Sequence, residues 1–437
     1  MEGYETGVRN GPGEPTLPNV DMYYREFKTA PDVRSTPEQS TISRWPGVSR
    51  ELISNLSRRF NLPRLELKES VQKILLRADI RIDGDRRWDI TVHNDQFYAR
   101  VLRLGSLGLG ESYMDGWWDC PALDQFFFRI LSADIDRNAA WKWRSMLRHL
   151  VATICNRQTR SRAKCGAEQH YDPGNELYKS MLDHRMVYTC ARWAYASSLD
   201  EAQEAKLDFV CRKLELQPGM TLLDIGCGWG SLARFAAEKY GARVVGITLS
   251  RQQMQLAQEV CEGLPVEIRL QDYRDVTGRF DRVASLGMFE HVGYKNYRRF
   301  FEVAHRSLCR DGFLFFSTIG TNCSVRATDP WIDKYVFPNS HLPSAAQISA
   351  AIEGLFVLED WQNWAFDYDR TVMAWFQNFQ KHWQDLRPQY GERFYRIWKY
   401  YLMVAAACFR SRKNQVWEIL MSRQETSETQ ARVCKPY

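Results

Sequence analysis

The stretch Leu223-Asp224-Ile225-Gly226-Cys227-Gly228-Trp229-Gly230 sets three glycines at alternate positions directly after a short apolar run. Glycine lets a backbone pass close to a ligand where any side chain would stand in the way. At the first strand-to-helix turn of an α/β unit such a run cradles a cofactor. The spacing is GxGxG. A dinucleotide site instead uses GxGxxG to aim a helix at a pyrophosphate, with an acid about 20 residues further on. Here the next strand ends Gly246-Ile247-Thr248-Leu249-Ser250, with no acid, so a nicotinamide cofactor is disfavoured. Metal chemistry lacks a ligand set. The 11 cysteines are scattered with no CxxC pair, which disfavours both structural zinc and a disulfide framework and fits a reducing, cytoplasmic compartment.

The elements that must position this turn follow from the apolar pattern. TLLDI (221–225) follows Pro218-Gly219 and reads as a strand, and the helix after the glycines ends at Gly241. ARVVGI, VEIRL and FDRVASLGMF read as three further strands. Ser250 suits the N-cap of RQQMQLAQEVC, NYRRFFEVAHRSL reads as a helix, and GFLFFSTI as a fifth strand after an Asp311-Gly312 turn. Repeated β-turn-α units of this size predict an α/β, doubly wound, mostly parallel sheet. Upstream, SVQKILLRADI is helical in spacing, ADIRIDGDRRWDITVHN predicts a hairpin turning at Asp83-Gly84, and FYARVLRLGSLGLGESYMDGWW predicts a short helix and a glycine-rich aromatic loop. The expected organisation is a disordered tail (1–60), a small α+β domain (61–135), a basic helical linker (136–169) and a catalytic domain (170–437). The (D/E)xGxGxG turn after the first strand resembles that of class I methyltransferases, which bind S-adenosylmethionine. In that resemblance the glycines pass under the methionine and ribose, Asp224 positions the cofactor, and Gln271-Asp272-Tyr273 meets the adenine.

Composition bounds the remaining possibilities. Of 437 residues, 44% are hydrophobic and 26% charged, an ordinary globular balance with net charge +6. No apolar run approaches the roughly 18 residues of a spanning helix, and the first residues carry no apolar core of a secretory signal. Aromatics stand out, with 15 Trp, 20 Tyr and 22 Phe, which suits a large core and also a greasy substrate. Neither an (N/D)PP(Y/F) block nor a basic stripe beyond the linker supports nucleic-acid methylation.

Longer blocks carry a closer resemblance. HYDPGNELYKSMLD (170–183), MVYTCARW (186–193), LQPGMTLLDIGCGWG (216–230), GMFEHVGYKNY (287–297), DPWIDKYVFPN (329–339) and DYDRTVMAWFQNF (367–379) resemble the cyclopropane fatty acid synthases. GSLGLGESYMDGWWDC (105–120) resembles the N-terminal, lipid-binding domain of the full-length bacterial form. The resemblance implies a peripheral, membrane-associating, cytoplasmic homodimer that acts on unsaturated phospholipid. It adds the methyl carbon of S-adenosylmethionine across a cis double bond, with a bound bicarbonate ion as the base. For the cofactor it adds Tyr188, Thr189, Thr248, Ser250 and Gln253 to Asp224, Gly226, Gly228, Gly230, Gln271, Asp272 and Tyr273. For bicarbonate it assigns Cys190, Glu290, the Ile319 amide and Tyr368. The remaining position, usually histidine, is Ser317. A neutral hydroxyl in place of an imidazole removes an anion contact worth roughly 1–3 kcal/mol. That leaves three outcomes open: bicarbonate still binds, weakly or through a water, another base serves, or ring closure fails; His291 and His341 are nearby candidates to compensate for the lost contact. In the third case the protein makes a methyl-branched product or is an inactive lipid-binding relative.

Overall fold

One buried carboxylate shapes the start of the described chain. The computed structural model describes residues 64–135, 174–325 and 328–424. The expected disordered tail and basic linker lie outside them. After the helix Arg64–Leu76, the segment predicted as a hairpin forms no ladder and wraps round Asp89. Asp89 accepts the amides of Arg81 (2.7 Å) and Arg86 (3.1 Å) and the Arg86 guanidinium (2.9 Å). Those bonds satisfy a buried charge better than a two-strand ribbon would. Thr91–Val92 (β1) pairs instead with Trp118–Asp119 (β2).

The glycine-rich segment expected as a loop is helical. Gln96–Leu104 and Ser106–Met114 are two helices meeting at Gly105. Its glycines serve close approach. A Cβ on Gly110 would collide with the Trp331 indole, and one on Gly108 with the Arg100 carbonyl. Around them lie Trp331 Nε1 to Met114 Sδ at 3.2 Å, Lys334 to Glu111 at 2.8 Å, and Tyr400 against Tyr113 (5.6 Å) and Phe127 (4.8 Å). Residues 64–135 therefore share one hydrophobic core with the later helices. Gly110→Ala is expected to lower the unfolding free energy by about 2 kcal/mol, read from the denaturant midpoint, because a packed indole must move. An unchanged midpoint would show that this contact is loose.

Five strands pair in parallel in the order β5-β4-β3-β6-β7: Thr221–Ile225 (β3), Arg243–Thr248 (β4), Val266–Leu270 (β5), Phe280–Leu286 (β6) and Leu308–Thr321 (β7). Both faces of β3 are buried, which is why its sequence is apolar without alternation. The Asp311-Gly312 turn proves to be an irregularity inside β7. Leu308 pairs with Phe280 and Phe313 with Arg282, so the intervening residues bulge out of one continuous strand. Phe356–Asn363 (β8) and Asn414–Arg423 (β9) complete seven strands, with β9 antiparallel to both β7 and β8. Between them run the helices Ala365–Lys381 and Trp383–Arg410, the latter broken at Gly391. Chain order reverses beside β3, and in open α/β sheets ligands bind at such a point, off the carboxyl ends of the strands. No helix among the described residues is long and apolar enough to cross a membrane.

Candidate active site

The glycine turn leaves β3 for the helix Ser231–Tyr240 and opens onto a cleft with about 1290 Å³ of empty space. Gly226 and Gly228 hold φ of 86° and 55°, a left-handed backbone that glycine adopts without strain. A Cβ at Gly228 would meet nothing within 4 Å, so the turn presents bare backbone to the cleft. Tyr188, Thr189, Asp224, Thr248, Gln253, Gln271 and Tyr273 line the same space. This wall of hydroxyls, an amide, an acid and an aromatic ring suits the amino-acid, ribose and adenine parts of S-adenosylmethionine.

Three of the expected cofactor residues stand behind this wall. Gly230 caps the helix and packs on Ala257 and Cys261. Ser250 accepts the Gln253 amide at 3.3 Å as the N-cap of Arg251–Val260. Asp272 accepts the Arg274 amide and pairs with its guanidinium, both at 2.9 Å. Each is engaged by local backbone, which Ser and Asp at caps favour. Thr248 and Gln253 bond one another at 2.9 Å across the lining.

Conversely, the cleft contains residues that received no role from sequence, Lys206, Arg274, Met288 and Pro338, and it also contains His291. Lys206 carried a signal. In the helix Leu199–Lys213 it falls in register with Leu199, Ala202 and Val210, so the apolar stripe carries a charge into the protein. It is 1% exposed, and its Nζ donates to Thr189 Oγ1 at 2.6 Å. Burial pushes the Asp224 carboxyl up to about 7, with the nearby Lys206 ammonium pulling the other way.

A chain of contacts across β7 and β9 connects the residues assigned to bicarbonate. Glu290, 6% exposed, accepts the Ile319 amide on Oε1 at 2.6 Å. Ile319 lies opposite Val416, whose carbonyl takes the Trp364 amide at 2.9 Å. The Trp364 carbonyl in turn accepts the Cys190 thiol (3.6 Å) and the Tyr368 amide (3.2 Å). The Ile319 amide is thus engaged by Glu290. By hydrogen-bond geometry Glu290 Oε2 is buried without a donor; the adjacent Thr318 hydroxyl donates to the Ile319 carbonyl at 3.1 Å and also lies close enough to favour the Glu290 carboxylate. An orphaned buried carboxylate oxygen calls for a donor such as the hydroxyl of a bicarbonate, so Glu290 fits that group. Burial raises the Cys190 thiol well above its usual range, which keeps it a neutral donor.

Neither histidine supplies the charge missing at Ser317. His341 receives Tyr297 Oη on Nδ1 (2.7 Å) and faces the Val325 carbonyl with Nε2, while its amide holds the Glu290 carbonyl (2.7 Å). It is a brace for the Glu290 turn. His291 lines the cleft, but burial lowers it to about 4, so it is neutral at physiological pH. Ser317 itself is buried opposite Glu418, whose carboxylate pairs with Arg192 at 2.6 Å.

Burial also lifts Glu290 to about 7 from an ordinary 4.5. The protonated acid folds without penalty below pH 4.5, and stability is lost as pH rises through about 7 and the buried group ionises. Relative to Glu290→Gln, the native protein is expected to lose up to about 3 kcal/mol between pH 4.5 and 8, measured by denaturant titration. Parallel curves would place the carboxylate in a solvated setting.

The sequence model of the mycolic acid cyclopropane synthetase family matches residues 158–419. Cyclopropane-fatty-acyl-phospholipid synthase of Escherichia coli (strain K12) is 49% identical over 351 residues, covering 80% of this chain and 92% of that protein. Tuberculostearic acid methyltransferase UfaA1 of Mycobacterium tuberculosis (strain ATCC 25618 / H37Rv) is 31% identical over 357 residues, 76% of this chain and 82% of that one. The crystal structure of mycolic acid cyclopropane synthase CmaA1 complexed with SAH and CTAB aligns with a TM-score of 0.56 at 30% identity, covering 60% of this chain and 98% of its own. With the glycine-turn cleft, the parallel sheet and these matches in agreement, the chain belongs to the mycolic acid cyclopropane synthetase family.

Proposed function

We propose that this protein transfers the methyl carbon of S-adenosylmethionine to the cis double bond of an unsaturated phospholipid acyl chain and closes it to a cyclopropane ring. The observation that carries this reading is an aromatic wall joining the cofactor cleft to Tyr368. Tyr188 lines the cleft and packs on Trp375 at 5.0 Å. Trp375 meets Tyr368 at 5.7 Å, and Tyr368 stacks on Phe409 at 4.5 Å. The E. coli relative named for this activity, covered over 92% of its length, supports the same substrate class.

The cofactor's sulfonium supplies an electrophilic carbon, and the alkene is a weak nucleophile whose attack leaves positive charge on the acyl chain. The protein's part is to hold and shield. Gly226 and Gly228 let the cofactor settle against the backbone, while Tyr188, Trp375 and Tyr368 offer π faces to a developing cation and exclude water that would quench it. Cys190, Glu290 and Tyr368 would hold bicarbonate, which supplies a base for the proton lost on ring closure. Glu290 Oε2 is the atom best placed to keep a proton on that anion. Ser317 favours one second reading, methylation that stops at a branched product.

The enzyme reaches its substrate from the membrane surface as a peripheral protein of the cytoplasm, acts as a homodimer, and uses its net charge of +6 to favour anionic lipid. The basic segment around Arg144–Lys164 is the proposed docking segment.

The test combines purified protein, methyl-labelled S-adenosylmethionine and vesicles of cis-unsaturated phospholipid. Label in the lipid with upfield cyclopropane proton signals is the expected result. Label without ring signals would establish the branched product, and unlabelled lipid would sink both readings.

A further inference from the structure

We propose that Lys206 is the residue that recognises the α-carboxylate at the methionine end of the cofactor, acting together with Thr189. The inference rests on the S-adenosylmethionine reading above. Lys206 lies in the cleft wall, yet only 1% of it reaches solvent. Its ammonium has three hydrogens and one hydrogen-bond acceptor among the described residues, Thr189 Oγ1 at 2.6 Å. A buried cation with two unused donors is costly unless a ligand completes it.

The surroundings leave the remaining donors of Lys206 to the cleft. Asp224 and Glu418 act on the ammonium through space, as do Asp183 and the Cys190 thiol, but none of them hydrogen-bonds it. Burial pulls the Lys206 ammonium below its usual range and these groups act against that pull, while its remaining donors are left to the cleft. Thr189 sits against the turn after β6: a Cβ on Gly287 would come within 2.8 Å of its methyl group. Lys206, Thr189, Asp224 and Gly287 therefore surround one end of the cleft, and Gln271 and Tyr273 line it beyond the following strands. With the adenine at Gln271 and Tyr273, the amino-acid end of the cofactor falls at Lys206.

Titration calorimetry on the full chain tests this with S-adenosylhomocysteine and its decarboxylated counterpart. The native protein is expected to bind the carboxylate-bearing ligand about 10- to 100-fold more tightly, the range for a charge-assisted hydrogen bond in a buried site. Lys206→Met should reduce that ratio to within about threefold by weakening the carboxylate-bearing ligand alone. Equal binding of both ligands by the native protein overturns the proposal without any variant, which matters if the methionine variant does not fold. A folded Lys206→Met that keeps the full ratio overturns it as well. Failure of the native protein to bind either ligand is a separate result, and it overturns the cofactor reading on which the proposal stands.

Discussion

Glu290→Gln is expected to remove cyclopropane product, by about 10²- to 10⁴-fold in rate, while changing S-adenosylhomocysteine affinity less than about threefold. The substitution is isosteric. A glutamine carbonyl can still accept the Ile319 amide that Glu290 Oε1 accepts at 2.6 Å, so the turn braced by His341 keeps its shape. The amide nitrogen then replaces Oε2, the buried oxygen without a partner. It can donate a hydrogen bond but can neither carry nor surrender an acidic proton. Glu290 is absent from the cofactor cleft wall, so cofactor affinity has no reason to fall. The variant should also be more stable than the native protein at pH 8, since it no longer buries a carboxylate that titrates near 7. Lost activity with gained stability separates a chemical role from damage to the fold. Normal turnover in a folded variant would falsify the assignment of Glu290 to the proton-handling site.

The second large effect is expected at the glycine turn, where two neighbouring substitutions should differ. Gly228→Ala places a methyl in open space above the turn, with nothing within 4 Å. Its φ of 55° is one that alanine adopts at a cost of about 1–2 kcal/mol, so the fold should survive. The methyl takes the space where the cofactor would lie against the backbone. S-adenosylhomocysteine affinity should therefore fall about 100-fold, equivalent to about 3 kcal/mol. Gly226→Ala adds a second penalty, because its Cβ would stand 2.7 Å from Met288 Cβ at a φ of 86°. That variant should lose thermal stability as well as affinity. Calorimetry and a thermal scan on both variants decide the matter. Native affinity in Gly228→Ala would mean that the cofactor does not lie over this turn.

Local sequence was enough for the parallel sheet. TLLDI, RVVGIT, VEIRL and FDRVASL are apolar runs bounded by turn residues, and each became a strand at close to the expected bounds. The glycine turn was equally legible, because positive φ favours glycine through its missing Cβ, a local property. The N-terminal segment was misread where a tertiary partner overrode local preference. GSLGLGES is helical because Trp331, more than 200 residues away, fills the groove that its glycines leave. The predicted hairpin gave way to Asp89, since a buried charge gathers more hydrogen bonds than a turn propensity can offset.

At the site, sequence determined the residue types available for chemistry and the turn that receives the cofactor. Tertiary structure alone decided which of them face the cleft. Thr248, Ser250 and Gln253 were all expected at the cofactor, yet the helix cap that sequence also offered Ser250 keeps it out of the lining while the other two line the cleft. Lys206 belongs to no motif, and only the fold brings its Nζ to 2.6 Å from Thr189 Oγ1. His341 looked like a substitute for the histidine missing at Ser317 until Tyr297 and Val325 engaged both of its nitrogens. The physical reason is the same in each case. Propensity and spacing act over a few residues, whereas burial and hydrogen-bond partners are supplied by chain tens to hundreds of residues away.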